Sequence, residues 1–216
     1  TFFFCFFTWL TTLLLGFCVA YFLAFYVNSL PLQITLFLIC TIPFWTSNVI
    51  RMVSWIPLLG RNGLVNDTLI TLGLIQEPIE WLLYSSFSVI LALVHLYTLF
   101  MIVPIFNSML RIDKEVIEAA YDSGANQFQI IKNVIIPLCK PGIIIGSIFV
   151  ITVVMGDFLT IGIMGGQQLA SIGKIINTEM NYLQLPGAAA NSVILLFITI
   201  FIIIVMTKFI DIRKEL

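Results

Sequence analysis

The chain has 216 residues, 60% of them hydrophobic and 10% charged, with 10 Lys and Arg against 11 Asp and Glu and a mean hydropathy of +1.10. Soluble domains are about 45–50% apolar and about 25% charged, so a soluble enzyme, a nucleic-acid-binding domain and a disordered chain are excluded. The single histidine and the four cysteines (Cys5, Cys18, Cys40, Cys139) offer no metal-binding spacing, and a net charge of −1 implies no polyanionic partner.

No acidic or basic residue precedes Arg51. A bilayer core of about 30 Å takes about 20 apolar residues per helical span. This stretch therefore holds a first span over residues 2–27 and a second over 32–53. Asn28, Ser29, Leu30 and Pro31 supply the turn between them. The second span is less apolar in its latter half, where Pro43, Thr46, Ser47, Asn48 and Arg51 occur. Residues 57–80 read as a loop with room for one short interfacial helix. A third span covers 81–103 and stops at Pro104. Residues 105–141 are amphipathic and carry Arg111, Lys114, Lys132 and Lys140. A fourth span, 142–164, is interrupted by Asp157. A loop over 165–186 leads to a fifth span, 188–207, and a charged tail. The expected fold is an all-α integral membrane protein, one transmembrane domain over 1–216 with five helices crossing the bilayer.

Orientation follows from the basic residues. The 105–141 segment and the tail (Lys208, Arg213, Lys214) hold seven of the ten Lys and Arg. Spans four and five separate them, so both lie on one side, the cytoplasm. Residue 1 and the 57–80 and 165–186 loops then lie outside. The short turn near Asn28 should be cytoplasmic too, although it has no basic residue. The sequence opens at Thr1 without a Met, a basic leader or a cleavage site. Five spans with an outside start lead us to expect a sixth span upstream.

The 105–141 segment is the most informative. Asp113 stands where it can cap a helix that has Glu115 in its first turn. The helix continues through Glu118, Ala119 and Ala120 and stops at Gly124, a natural left-handed helix end. Asn126 starts another, with Gln129 three residues on as a capping box. Phe128, Ile131, Val134 and Ile135 recur at helical spacing, and Pro137 ends it. The expectation is two short surface helices over 113–136, meeting near Gly124. The plain alternative is an amphipathic hairpin that only connects two spans.

The spelling goes further. Glu118-Ala119-Ala120, three residues, Gly124, nine residues, then Val134-Ile135-Ile136-Pro137 resembles the EAA loop of bacterial ABC importer permeases, whose pattern is EAA, three residues, G, nine residues, I-x-LP. Only Val for Ile and Ile for Leu depart from it. Residues Ile42 to Arg51, Phe100 to Pro104 and Met164-Gly165-Gly166 are similar to segments of the spermidine/putrescine permease subfamily. The resemblance implies a type I (MetI-like) importer transmembrane domain. Two permease subunits would form the pathway, two cytoplasmic ATPase subunits would bind ATP and Mg and drive it, and an extracytoplasmic binding protein would deliver the solute. Glu118, Ala119, Ala120, Gly124 and Pro137 would then couple to the ATPase. No Gly-rich phosphate loop ending in Lys-Ser/Thr occurs in the sequence, so no cofactor is expected on this chain.

For the pathway, Asp157 is the prime candidate, since an ionisable group at membrane depth costs about 2.5–3.5 kcal/mol on insertion. Its alternative is an outer-end carboxylate capping a break at Gly156. Arg51 could face the pathway or snorkel to the membrane edge. Trp45 and Trp55 are candidate walls for a solute's methylenes or, with Trp81, interfacial belt residues. His95 is expected to hydrogen-bond to a neighbouring span. Glu77, Glu80 and Glu179 read as solvated loop residues. A polyamine is the leading solute. The rivals are an iron chelate, an opine or an organophosphonate on the same fold, an ion-coupled secondary transporter, or a structural anchor.

Overall fold

The computed structural model describes residues 1–166 and 168–208, and the tail residues Arg213 and Lys214 lie outside that range. Among the described residues every regular element is helical. Helix α1 (Phe2–Tyr21) passes into a π turn (Phe22–Tyr26); α2 (Leu30–Thr41) ends in a 3₁₀ turn (Ile42–Trp45). Helices α3 (Asn48–Leu59) and α4 (Leu64–Thr71) follow, then α5 (Ser86–Leu110), α6 (Lys114–Asp122) and α7 (Gln127–Ile130). A second π turn (Ile131–Ile135) joins α7 to α8 (Ile136–Gly156), and α9 (Leu159–Met164), α10 (Ile172–Asn181) and α11 (Leu185–Thr207) complete the order. Four helical stretches are long and apolar enough to cross a membrane, or five when the bent α2–α3 pair counts as one span. On the second count the number equals the expected five, with several boundaries corrected.

The second span is not one helix. Pro43 lacks an N–H and its ring clashes with the preceding turn, so the helix tightens to 3₁₀ at Ile42–Trp45 and opens at extended Thr46 and Ser47. α3 restarts beyond the break, bent by 90° from the first half. The third span begins where expected, at Glu80, but ends later, at Leu110, and its main helix is α5. Ser85 and Ser88 form a reciprocal capping box that fixes the start at Ser86. Pro104 lies inside α5 and does not stop it. Membrane helices tolerate such a proline when neighbours satisfy the freed groups.

Pro137 does not end a helix either: α7, the π turn and α8 form one helical stretch from Gln127 to Gly156. The Ile136 N–H reaches back five residues to the Ile131 carbonyl. This wider turn shifts the ladder just before Pro137 and gives its ring room. The fourth span therefore breaks at Asp157, as expected, but begins in the amphipathic segment. The 165–186 loop also contains a helix, α10, whose Glu179 accepts both bonds from Asn191 Nδ2 on α11 (3.1 and 2.9 Å). Glu179 is a tie between helices, not a free loop acid.

α5 is the central helix, packed against α1 and α8. Burial in lipid supplies no hydrophobic drive between spans, so close van der Waals approach through small residues decides the packing. Gly16 on α1 and Gly142 and Gly146 on α8 provide it. An added Cβ at Gly16 would stand 2.8 Å from Met101 Cγ, and one at Gly146 2.8 Å from Met101 Sδ. At Gly142 it would strike the Pro104 carbonyl oxygen and Ser108 Oγ. The contacts also pair the ends of the bundle. The Ile172 N–H donates to Thr1 Oγ1 at one end (2.8 Å), and Gln127 Nε2 donates to Tyr26 Oη at the other (2.9 Å).

Candidate functional site: a jointed surface helix and an intramembrane polar cluster

α6 begins after Asp113, whose side chain makes no capping bond, and carries Glu115 in its first turn. Its end is fully formed. Gly124 adopts φ +82°, its N–H donates to the Tyr121 carbonyl (2.8 Å), and the Ala125 N–H donates to the Ala120 carbonyl (3.1 Å). This pair of bonds is the Schellman arrangement, which requires the left-handed residue that only glycine adopts without strain. Two residues on, Asn126 Oδ1 accepts the Gln129 N–H and Gln129 Oε1 accepts the Asn126 N–H (2.9 and 2.8 Å). A helix end and a helix start thus flank one glycine joint, as the sequence predicts. Only α6 is a separate short helix, because α7 is the first turn of the long α7–α8 stretch.

Glu118, Ala119 and Gly124 are exposed, Ala120 is half-buried and Pro137 is exposed at the start of α8. Val116, Tyr121 and Phe128 add exposed apolar surface on the same segment. Behind α6, Glu118, Tyr121 and Gln127 face Tyr21, Tyr26 and Asn28 across a cleft of about 320 Å³. The Tyr26–Gln127 bond joins the first π turn to the start of α7, a link that no local sequence signal indicates.

The second region lies where α3, α5 and the α8–α9 break meet. Asp157 Oδ1 accepts the Thr160 N–H (2.9 Å), and Oδ2 accepts the hydroxyls of Thr160 (2.6 Å) and Tyr97 (2.6 Å). The carboxylate therefore starts α9 and ties the break to α5. Trp55 Nε1 donates to His95 Nδ1 (3.1 Å), so His95 bonds to a neighbouring span as expected and Trp55 is occupied by it. Arg51 is 8% exposed and donates to Asn48 Oδ1 one helical turn back. Its Nε is buried without a partner, and Tyr97 lies within electrostatic reach of its charge. A cavity of about 380 Å³ lies beside this cluster, lined by Arg51, Trp55, His95, Thr98, Phe44 and Leu15 among others.

Of the four expected pathway residues, Arg51 and Trp55 share this cavity. Asp157 does not line it; its bond from Tyr97 ties it to α5, whose His95 and Thr98 do line it. Trp45 stands apart at the elbow, 84% exposed. Tyr97 and Thr160 were not singled out from the sequence. The i+3 spacing of Thr160 from Asp157 and of Arg51 from Asn48 is a capping and helix-neighbour signal that marks two of the contacts. The Gly142-x-x-x-Gly146 spacing likewise marks the α8 packing face. Glu80 is solvated as expected, in a surface ion pair with Arg61 (3.4 Å).

This fold, with its helix–glycine joint–helix segment between membrane spans, is that of a transport permease. The chain belongs to the binding-protein-dependent transport system inner membrane component family, whose profile matches residues 2–214. Among relatives, it is 36% identical over 189 residues to the spermidine/putrescine transport system permease protein PotB of Salmonella typhimurium, covering 86% of this chain and 64% of that protein. It is 39% identical over 144 residues to PotB of Haemophilus influenzae, covering 67% of this chain and 50% of the relative. A putative 2-aminoethylphosphonate transport system permease protein, PhnU of Salmonella typhimurium, is 28% identical over 120 residues, covering 56% and 42% respectively. The chain thus spans half to two-thirds of the length of its PotB relatives.

Proposed function

We propose that the chain is a pathway subunit of an ATP-driven, binding-protein-dependent importer in the plasma (inner) membrane, with a polyamine as its solute. The observation that carries the importer reading is the glycine-jointed α6. Its exposed Glu118 and Ala119 form a docking knob on a joint that leads directly into the long α7–α8 helix. In this reading α6 faces the cytoplasm and docks on one of two ATPase subunits, which bind ATP and Mg. A second permease subunit completes the pathway, and an extracytoplasmic binding protein docks at the opposite end. The chain itself performs no chemistry.

The polyamine assignment rests on the names of the PotB relatives and is supported by Asp157. A carboxylate offers about four acceptor sites. Three are taken by Thr160 and Tyr97, two of them on Oδ2, so Oδ1 keeps room for one ammonium. A single shared contact gives weak, releasable binding, which a translocation step requires.

The test is uptake of labelled spermidine and putrescine by the complex reconstituted in vesicles with ATP inside. Concentrative uptake that Asp157→Asn impairs, with assembly and basal ATP hydrolysis retained, is the expected result. No polyamine uptake by the unmodified complex refutes the solute assignment, and transport without an ATPase partner refutes the importer class.

A further inference from the structure

We propose that Arg51 seats a carboxylate carried by the second permease subunit, and that the α2–α3 elbow is the face on which that subunit packs. The proposal rests on the two-permease reading above but not on the identity of the solute. Arg51 is more than nine-tenths buried, its Nε is buried without a partner, and its one bond goes to the neutral amide of Asn48. No carboxylate of the described residues lies within ion-pairing distance of it. A buried cation without a counter-charge is strongly destabilising, whereas the same cation hydrogen-bonded to a carboxylate is tolerated. The missing acceptor must come from outside the described residues.

The surroundings say what kind of molecule supplies it. α2 and its 3₁₀ turn rise about 25 Å from the turn at Asn28, less than the bilayer core of about 30 Å, so the break at Thr46 and Ser47 lies at membrane depth. Irregular backbone at that depth is not left facing lipid; it is covered by protein or lines a water-filled space. Yet every residue from Ile42 to Ile50 is exposed in the isolated subunit. Lipid cannot satisfy that backbone, and apolar Phe44, Trp45, Val49 and Ile50 do not suit a face left in water. A protein surface that presents apolar side chains around one Asp or Glu satisfies the elbow and Arg51 together. The polar groups beside Arg51 agree, because His95 Nδ1 already accepts from Trp55 and leaves the other ring nitrogen as a donor. The cavity therefore favours an acceptor and disfavours a cation.

The experiment uses the full-length subunit coexpressed with its sister permease and ATPase, and reads the recovery of permease pairs by native mass spectrometry. Arg51→Glu is expected to lower pair recovery at least about tenfold through like-charge apposition. Reversing one intramembrane Asp or Glu of the sister subunit to Arg is expected to restore it. Because Arg51→Glu could simply misfold, Ile50→Cys carrying a benzophenone is irradiated in the otherwise unmodified complex. The expected product is a covalent adduct with the sister permease. Adducts with lipid alone overturn the proposal, as does pair recovery in Arg51→Glu equal to the parent, or a loss that no charge reversal repairs. If Arg51→Glu pairs normally but no longer takes up solute, Arg51 serves the solute and the interface proposal fails. Absence of polyamine uptake in the parent complex, with the pairing results intact, refutes only the solute assignment.

Discussion

Gly124 is the position at which the structure makes the sharpest demand on the sequence. Its φ of +82° is left-handed, and a Cβ built there meets nothing within 4 Å. Any effect of substitution on the subunit itself is therefore backbone strain, not a clash. An L residue in that conformation costs about 1–2 kcal/mol, less for Asn. Since 1.4 kcal/mol is tenfold in population, the jointed form falls by about 5- to 30-fold where it competes with a straightened one. The apparent affinity for the ATPase falls by up to the same factor. Titrating ATPase subunits against the permease in nanodiscs, with solute-stimulated ATP hydrolysis as a second readout, should rank the variants Gly, Asn, Ala, Val from tightest to weakest. Steric interference at the partner surface predicts a different order, with Ala better than Asn because it is smaller. Finding Ala better than Asn, or Val docking as well as Gly, refutes the strain argument and with it the role of the joint.

Tyr97→Phe removes one donor to Asp157 while Thr160 keeps the other two. It should lower stability by about 1.5–3 kcal/mol, seen as a lower Tm in detergent, and an unchanged Tm means that the bond contributes nothing. Gly142→Ala should disrupt the α5–α8 contact more than Gly146→Ala. The first Cβ meets the Pro104 backbone and the second chiefly the flexible Met101 side chain, with overpacking worth about 1–3 kcal/mol; the reverse order in thermal unfolding counts against this crossing. In a cysteine-free background, Tyr182→Cys should react with an impermeant maleimide added to intact spheroplasts and Ser123→Cys only after lysis. The opposite pattern inverts the proposed orientation.

The parts of this molecule that were legible in the sequence are those fixed by neighbours a few residues apart. The Schellman end at Gly124 and the Asn126–Gln129 box depend only on local backbone and side-chain chemistry, and both are present as read. The break at Asp157 is legible for the same reason, with a glycine before it and a capping carboxylate at it. Prolines misled the reading. Read locally, Pro104 and Pro137 are stops, but whether a proline stops, bends or sits in a helix depends on what surrounds it. A neighbouring span packs against Pro104 and a π turn precedes Pro137, while Pro43 does break its span. The long-range partners of the polar cluster, Tyr97 to Asp157 and Trp55 to His95, are 60 and 40 residues apart. No periodicity within one segment signals them.

The continuous α7–α8 stretch changes how the two ends of the molecule relate. Two separate surface helices followed by a fresh span would leave a flexible connection between α6 and the membrane. Instead the only joint is Gly124, and beyond it 30 residues run unbroken to Gly156, about 45 Å of helix at 1.5 Å per residue. A rotation of that rod by about 5° about its close crossing with α5, about 12 residues from its far end, carries that end about 1.6 Å, enough to take a hydrogen bond past its limiting length. Asp157 sits at that far end and holds the α9 start and Tyr97 through bonds of 2.6–2.9 Å. In the proposed importer, a tilt imposed where α6 docks must either drag α9 and α5 along or break the Asp157 contacts and free its carboxylate. Both outcomes reshape the break beside Arg51 and the elbow, because α9 packs on α3 as well as on α5. The pivot for that rod is the Gly142–Gly146 face, where α8 crosses α5 too closely to slide.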